Sequence, residues 1–204
     1  MTRQRLTRNE RREQTYKELL EAAARVFSQR GFNGASVDDV AAAAGFTKGA
    51  VYAHFASKEE LFLALLDRRL EQDIEQWGTI GESQQGQATK DSTTSRSFAG
   101  DLEQQRTWNM LLLEFLLYAM RNELVRNKLA ARYQAVRRTI TERLQTQFAA
   151  TDTTPELPME DLAWLIIGLG HGLSLQAYLD PASFPEDLYS RALTSLLRLP
   201  QSSD

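Results

Sequence analysis

The stretch from residue 36 to residue 55, SVDDVAAAAGFTKGAVYAHF, constrains the fold most strongly, because it carries the signals of two short helices joined by a tight turn. Ser36 is a good N-cap residue, whose hydroxyl can accept from backbone N–H groups of the first turn. Gly45 predicts the end of this helix, since glycine readily takes the left-handed conformation. Thr47 can cap a second helix, Lys48 to His54. The pattern predicts a helix-turn-helix, and an ordinary αα-hairpin with a glycine cap is the alternative.

The outward face of the second helix combines small residues with hydrogen-bonding ones: Lys48, Gly49, Ala50, Tyr52, Ala53 and His54. Small residues let a helix lie close to a DNA groove, and the polar ones supply donors for phosphates and base edges. Gly49 costs roughly 1 kcal/mol of helix stability relative to alanine, which is understandable where a partner approaches closely. We therefore interpret this helix as one that enters a DNA major groove, with Val51 and Phe55 turned inward.

Residues 36–61, in which ASKEEL continues the two helices, resemble the DNA-binding signature of the TetR family of transcriptional regulators. The lead-in AAARVFSQRGFNG, residues 22–34, is similar to the same signature. The resemblance covers residues 12–72 strongly and is weak in detail beyond them. It implies a ligand-responsive repressor with an N-terminal helix-turn-helix domain and a larger C-terminal helical domain for ligand binding and dimerisation.

The residues that we predict to contact DNA are Ser36, Thr47, Lys48, Gly49, Ala50, Tyr52, His54 and Lys58. Lys48 is the candidate for a base edge, by preference guanine, and Ala50 can touch a thymine methyl group. Gly49 permits the close approach. The predicted phosphate contacts are Thr47, Tyr52, His54 and, as the resemblance implies, Lys58. A solvated lysine is the alternative at position 58.

Composition bounds the protein class. The chain has 204 residues, of which 42% are hydrophobic and 25% charged, as is typical of a soluble globular protein. It has no cysteine, which excludes disulfides, thiolate metal sites and a cysteine nucleophile. The N-terminus lacks the apolar segment of a secretory signal. The longest apolar stretch, 162–175, is broken by glycines and His171 and is too short to span a bilayer. We expect a cytoplasmic protein.

Positive charge is concentrated near the N-terminus, although the formal net charge is −3. Residues 1–60 carry ten Lys/Arg and eight Asp/Glu, against fourteen and nineteen in the remainder. Residues 1–10 show no apolar periodicity and are predicted to form a flexible basic arm. The arginines at positions 3, 5, 8, 11 and 12 can contact the DNA backbone or minor groove, and a solvated tail is the alternative.

Apolar periodicity predicts an all-α protein. Beyond the helix-turn-helix, helices are expected over 11–30, 58–77, 101–121, 122–149, 159–179 and 185–199. We assign 11–57 to the DNA-binding domain, 58–77 to a connecting helix and 78–204 to a regulatory domain for ligand binding and dimerisation. Residues 78–100, rich in Gly, Ser, Thr and Gln, are predicted to be a mobile insert, with a lid over a ligand pocket as the alternative.

A small-molecule pocket is expected where aromatic or polar residues lie within apolar helices. The candidates are Trp108, Leu111, Glu114, Phe115, Tyr118, Tyr133, Trp164 and His171. Glu114 is the most informative, because a carboxylate within WNMLLLEFLLYAM must find a partner or face a cavity. An amine-bearing ligand and a salt bridge to an arginine such as Arg121 are both open as its partner.

A homodimer is expected from the penultimate helix, where glycines at 168, 170 and 172 interrupt an apolar run. Glycine weakens a helix, and close approach of a second helix is one reason to keep it. We predict that the last two helices pair with their copies as a four-helix bundle; packing within one chain is the alternative. The predicted interface residues are Ile166, Gly170, Leu173, Ala177, Leu188, Ala192 and Leu196. A two-fold dimer would read a palindrome with half-sites about 34–36 Å apart, or a multiple of that.

An enzyme would need a reactive constellation, and the sequence shows none. The two histidines, His54 and His171, have no Asp or Glu three or four residues away. P-loop and G-x-S-x-G motifs are absent, and no cofactor or metal is expected. The expected partners are a palindromic double-stranded DNA operator and a small-molecule effector. The competing hypothesis is a helical small-molecule-binding protein or enzyme with a vestigial helix-turn-helix.

Overall fold

The computed structural model describes residues 7–82, 102–151, 155–185 and 187–197. Every regular element among these residues is an α-helix, as predicted. In chain order the helices are α1 Arg8–Gly34, α2 Val37–Ala44, α3 Lys48–Tyr52, α4 Lys58–Glu82, α5 Leu102–Met120, α6 Glu123–Thr151, α7 Met159–Leu179 and α8 Leu188–Leu197.

Helix α1 begins at Arg8, earlier than residue 11 where the periodicity placed it. Thr7 is the N-cap: its hydroxyl accepts from the Glu10 backbone N–H at 3.2 Å, and the Glu10 carboxylate accepts from the Thr7 N–H at 2.6 Å. This reciprocal capping box fixes the helix start, and its bonds lower the pKa of Glu10. The prediction of a flexible arm was therefore wrong for residues 8–10, and residues 1–6 lie outside the described residues.

Gly31 interrupts α1 where the sequence predicted its end. Its φ of 71° and ψ of 172° are non-helical, and one short turn follows as far as Gly34. A positive φ is readily adopted only by glycine. Phe32, directly after the break, is fully buried, so the chain folds back onto the helix.

Two other helix boundaries, the end of α4 and the start of α8, differ clearly from the prediction. Helix α4 continues to Glu82, so residues 78–82 of the predicted insert are helical, and its remainder lies outside the described residues. Helix α6 begins as predicted, with the Asn122 side chain accepting from the Val125 N–H at 3.2 Å. Helix α8 begins at Leu188 and not at 185, because Pro185 lies in a preceding turn whose carbonyl accepts from the Leu188 N–H.

The chain forms two compact units that do not follow a single break in the sequence. The first unit comprises Met1–Arg69 with Met110–Arg126, and the second comprises Leu70–Asn109 with Asn127–Asp204. Helices α4, α5 and α6 each contribute residues to both units. The sequence predicted a regulatory domain that begins at residue 78. It did not predict that the C-terminal half of α5 groups with the helix-turn-helix.

The core of the first unit is aromatic and joins α1, α4 and α5. Phe27, Phe32, Phe62 and Phe115 are fully buried. Their ring centroids lie close together, from 4.1 Å for Phe62 and Phe115 to 5.9 Å for Phe27 and Phe32. Aromatic pairs at these separations stabilise beyond the burial of their area, so this cluster stabilises the unit that contains the helix-turn-helix.

The core of the second unit is largely aliphatic and is built by α6, α7 and α8. Its buried members are Val136, Ile140, Leu144, Phe148, Leu162, Ala163, Ile166 and Leu197. Helix α7 nevertheless leaves apolar residues exposed on its other side, among them Trp164 (59%) and Leu179 (66%). By length and composition this 21-residue helix would suffice to cross a membrane, although its apolar stretch was predicted to be too short to do so. A helix covered by a second subunit has the same properties.

Candidate DNA-binding site

Helices α2 and α3 form the predicted helix-turn-helix. The Ser36 hydroxyl accepts from the Asp39 backbone N–H at 3.1 Å, and the Asp39 carboxylate accepts from the Ser36 N–H at 3.0 Å. The Ser36 hydroxyl also donates to this carboxylate at 2.6 Å. These bonds lower the pKa of Asp39. At the other end, Gly45 ends α2 with a φ of 72°, which is the conformation that the sequence required of it.

Helix α3 presents the predicted face to solvent. Thr47 caps the helix, with its hydroxyl accepting from the Ala50 N–H at 3.2 Å. Val51 and Phe55 are buried, as predicted. On the opposite side Lys48, Gly49, Tyr52 and Ala53 are exposed, and Ala50 and His54 are half-buried. The helix is shorter than the predicted Lys48 to His54, because Ala53 and His54 form a terminal turn.

Nothing in the described part of the protein requires a glycine at position 49. A β-carbon added there would meet only the Thr47 hydroxyl, at an ordinary 3.8 Å, and the residue lies within a regular helix. Glycine weakens a helix relative to alanine. Close approach of an external partner to α3 therefore explains this residue better than packing does.

Lys48 is ion paired with a residue of the neighbouring helix. Its ammonium nitrogen lies 2.7 Å from an Asp38 carboxylate oxygen, and both side chains are more than half exposed. The hydrogen bond to Asp38 raises the pKa of Lys48. Arg30 of α1 pairs in the same manner with Asp39, at 2.6 Å. To contact a base edge, the ammonium of Lys48 must therefore give up its ion pair with the Asp38 carboxylate.

Lys58 has contacts inside the protein that the sequence did not predict. Its ammonium donates to the backbone carbonyls of Phe32 at 2.9 Å and Ala35 at 3.0 Å, and it lies 4.5 Å from the centroid of the Phe32 ring. Lys58 thus ties the start of α4 to the segment between α1 and α2. An ammonium has three donors, so a phosphate contact is compatible with these bonds and stays a prediction.

His54 lies at the junction of α1 and α3. Its ring centroid is 6.1 Å from that of Tyr16, which in turn stacks on Phe55 at 5.1 Å. Burial, and to a smaller extent the positive charge of Arg12, lowers the pKa of His54. The neutral imidazole is therefore favoured at neutral pH, and it keeps one N–H donor for a phosphate.

Glu114 accepts hydrogen bonds from the backbone of α1, a partner that the sequence did not predict. Its carboxylate accepts from the N–H groups of Phe32 and Asn33, each at 2.8 Å. These two bonds supply the partner that the carboxylate was expected to need, and an amine-bearing ligand or Arg121 as an additional partner stays a prediction. One turn further along α5, the Tyr118 hydroxyl donates to Glu59 of α4 at 2.7 Å, which raises the pKa of Tyr118.

The eight pocket candidates divide between the two units. Leu111 and Phe115 belong to the buried core of the first unit, where Glu114 and Tyr118 make the bonds described above. In the second unit, the Tyr133 hydroxyl lies 3.3 Å from the His171 ring nitrogen Nε2. The Trp164 ring lies 3.7 Å from the Arg137 guanidinium carbon, and Trp108 is half-buried. The pocket stays a prediction for these four residues of the second unit.

The predicted dimer interface includes residues that the chain uses internally. Ile166 is buried in the core of its own unit, and a β-carbon on Gly170 would lie 3.7 Å from Tyr189 of the same chain. The burial of Ile166 contradicts its assignment to a subunit interface, whereas Gly170 is half-buried and stays a prediction. The exposed side of α7 instead carries Gly168 and Gly172, where an added β-carbon would meet no described residue within 4 Å. Five other candidates are half-buried: Leu173, Ala177, Leu188, Ala192 and Leu196.

Two family models match the chain. One, described as bacterial regulatory proteins of the tetR family, covers residues 19–65, which include the helix-turn-helix. The other, described as the C-terminal region of BetI-type transcriptional repressors, covers residues 92–199, more than half of the chain. The chain belongs to the TetR family. This TetR-family protein is a DNA-binding transcriptional regulator, as the helix-turn-helix predicted.

Several similar proteins align with most of this TetR-family chain. YfiR, a helix-turn-helix-type transcriptional regulator of Bacillus subtilis, is 28% identical over 164 residues, 80% of either chain. A crystal structure assigned to TetR-family regulators from Rhodococcus sp. has a TM-score of 0.70 at 22% identity, over 91% of this chain and 99% of that one. Bacillus subtilis FadR in complex with stearoyl-CoA has a TM-score of 0.65 at 19% identity, over 89% and 97%. These structures confirm the fold class.

Proposed function

We propose that the protein is a homodimeric repressor that binds a palindromic operator and is released from it by a small molecule. The observation that carries the DNA-binding part is the exposed outer face of α3, in which Gly49 leaves room that the protein itself does not use. The first unit is the DNA-binding domain in this proposal, and the second is the regulatory domain.

Within the first unit we assign Lys48 to a base edge and Ala50 to a thymine methyl group. Phosphate contacts are assigned to Thr47, Tyr52, His54 and Lys58. A hydroxyl that accepts a cap bond can still donate, which leaves Thr47 able to bind a phosphate oxygen. Ser36 differs, since its hydroxyl donates to Asp39. A DNA contact by Ser36 would have to replace that bond.

The dimer interface is proposed on the exposed side of α7. Leu165, Leu175 and Leu179 are exposed by 45%, 37% and 66% on a helix that buries its other side in the unit core. Gly168 and Gly172 lie on the same exposed side, one helical turn apart, and would let a second backbone approach. A two-fold copy of α7 and α8 covers these residues and places two α3 helices on one operator.

Release by a small molecule is supported by the regulatory region. The family model that matches it is that of repressors, and FadR, which shares the fold, is known with stearoyl-CoA bound. In this chain the aromatic and polar residues available for a ligand in the second unit are Trp108, Tyr133, Trp164 and His171. The spacing of the two recognition helices can differ between two states of the dimer. A ligand that binds one state better than the other shifts the population toward that state.

An operator is first selected from random double-stranded DNA with the purified protein, and a reporter gene placed behind this selected operator then tests the direction of regulation. Expression should fall when the protein is present and recover with Lys48→Ala; a rise in expression would identify an activator. Displacement of labelled operator by library compounds then tests ligand release. Tight binding of a small molecule, without preference for any DNA sequence, would favour the alternative of a helical ligand-binding protein with a vestigial helix-turn-helix.

A further inference from the structure

The carboxylate of Glu114 occupies a small anion site at the break of α1. The backbone N–H groups of Phe32 and Asn33 both point at it, each with a hydrogen bond of 2.8 Å. Consecutive N–H groups in such a bend form a concavity that binds anions. Gly31 interrupts the helix just before these two N–H groups, so they lack the carbonyl partners of a continuous helix. The Glu114 carboxylate accepts their hydrogen bonds instead.

The site is built for close contact. A β-carbon on Gly31 would lie 2.5 Å from Oε2 of Glu114, closer than two such atoms can approach, and the φ of Gly31 is +71°. Glycine at position 31 therefore serves both the backbone conformation and the access of the carboxylate. The contact belongs to the first unit alone.

The segment that Glu114 holds leads directly into the helix-turn-helix. Ser36, the N-cap of α2, follows Asn33 after two residues. Lys58 binds the carbonyls of the same segment at Phe32 and Ala35. The Phe32 ring also packs against Phe115 of α5, with centroids 4.9 Å apart. Helices α4 and α5 thus both contact the segment that leads into α2.

Helix α5 is shared by the two units without a break. It runs from Leu102 to Met120, and its residues up to Asn109 belong to the second unit, whereas Met110 and those after it belong to the first. An uninterrupted helix can transmit an axial shift along its length. N–H···O hydrogen bonds occupy a range of roughly 2.7–3.2 Å, so a shift of about 1 Å at Glu114 would break both bonds.

We propose that Glu114 is the positioning residue through which the state of α5 reaches the helix-turn-helix. This inference rests on the proposed function, since it supplies the link between an effector and the operator. With both bonds made, the α1–α2 segment is held and α3 is placed for operator binding. With the bonds broken, α3 loses this placement while its DNA-facing side chains stay unchanged.

Glu114→Gln tests the proposal in the full-length dimer. The amide keeps the shape but faces one backbone N–H with its own N–H donors. Glu142→Gln, at an exposed position of α6, is the matched control because it removes the same charge. Affinities for the selected operator and for an unrelated duplex are measured at one salt concentration. For Glu114→Gln we expect operator affinity to fall by about tenfold or more, since hydrogen bonds to charged groups are the stronger ones.

The affinity for the unrelated duplex should match that of Glu142→Gln within about twofold, because non-specific binding follows charge. A cap with a purely structural role would lower thermal stability and leave the ratio of operator to non-specific affinity at its wild-type value. That result would overturn the proposal. A wild-type protein that selects no DNA sequence would instead count against the proposed function.

Amide hydrogen exchange provides a second test, because a cap with a purely structural role would give the same exchange rates with operator DNA and with the unrelated duplex. Coupling is reciprocal, so operator DNA should slow exchange at the Phe32 and Asn33 N–H groups of the wild type, and the unrelated duplex should not. Equal protection by both duplexes would overturn the proposal. If Glu114→Gln does not fold, Tyr118→Phe removes the neighbouring bond of α5 to Glu59 and keeps the ring. Its operator-to-non-specific ratio should fall by about threefold or more, and an unchanged ratio would contradict the proposal.

Discussion

The ammonium of Lys48 and the carboxylate of Asp38 form an ion pair of 2.7 Å across the two helices of the helix-turn-helix. The side chain that we assign to base readout is therefore already neutralised in the protein without DNA. Binding to a guanine edge replaces one partner with another, so the net gain from the contact is smaller than that of a free lysine. Asp38 also places a negative charge beside the surface that meets phosphates.

Asp38→Asn should strengthen DNA binding. Removing the carboxylate frees Lys48 and reduces repulsion of phosphates, but by no more than about fivefold, because exposed ion pairs contribute little. The measurement is operator and non-specific affinity over a series of salt concentrations, with Glu142→Gln as a control for the charge change. A loss of operator affinity would show instead that Asp38 holds Lys48 in its base-reading position.

Gly31→Ala should destabilise the protein by about 1–3 kcal/mol, because a positive φ is strained for alanine and the new β-carbon would collide with Glu114. Gly34→Ala is the control. Its β-carbon would lie 3.8 Å from the Arg30 β-carbon, and the change should be neutral or stabilise by up to about 1 kcal/mol. Urea unfolding measures both variants. Equal stabilities would contradict the described break in α1.

Lys58→Ala should have two separable effects. Loss of the bonds to the Phe32 and Ala35 carbonyls should lower the free energy of unfolding by about 1–3 kcal/mol. Loss of a phosphate contact should reduce the slope of log affinity against log salt by about one, for all sequences alike. Denaturation and salt titrations distinguish the two. A reduced stability with an unchanged salt slope would restrict Lys58 to its structural role.

Leu165→Glu should dissociate the dimer. The substitution places a charge on the apolar exposed side of α7, where a second subunit would bury it without a partner. We expect the dissociation constant to rise by roughly a hundredfold or more, as measured by analytical ultracentrifugation. Leu124→Glu is the control, because Leu124 is 76% exposed and lies in the first unit. Two variants that both remain dimeric would place the interface elsewhere.

The helix-turn-helix could be predicted because its signals are local. Ser36, Gly45 and Thr47 each act within a few residues of their position, through caps and a left-handed turn that depend on residue type alone. Local signals also placed the end of α1 at residue 30, beside the break at Gly31, and the start of α6 at residue 122. Thr7 was missed although Glu10 completes its capping box, because the arginines around it were interpreted as an arm.

The partners of Glu114 and Lys58 could not be predicted because they are distant in sequence. Glu114 binds a backbone group 82 residues away, and Lys58 binds one 26 residues away. Periodicity also cannot choose a face on a helix that is apolar all round. For that reason Ile166 was assigned to the subunit interface although it packs in the core, while the exposed Leu165 beside it was overlooked.

Selection from random double-stranded DNA at near-physiological salt tests the central claim most directly. The full-length wild type, Lys48→Ala and Tyr52→Phe would be selected in parallel. The wild type should enrich one palindrome with half-sites about 34–36 Å apart, or a multiple of that. Lys48→Ala should lose preference at one position of each half-site, and Tyr52→Phe should weaken binding and keep the sequence. No enrichment by a folded wild-type dimer would contradict the account.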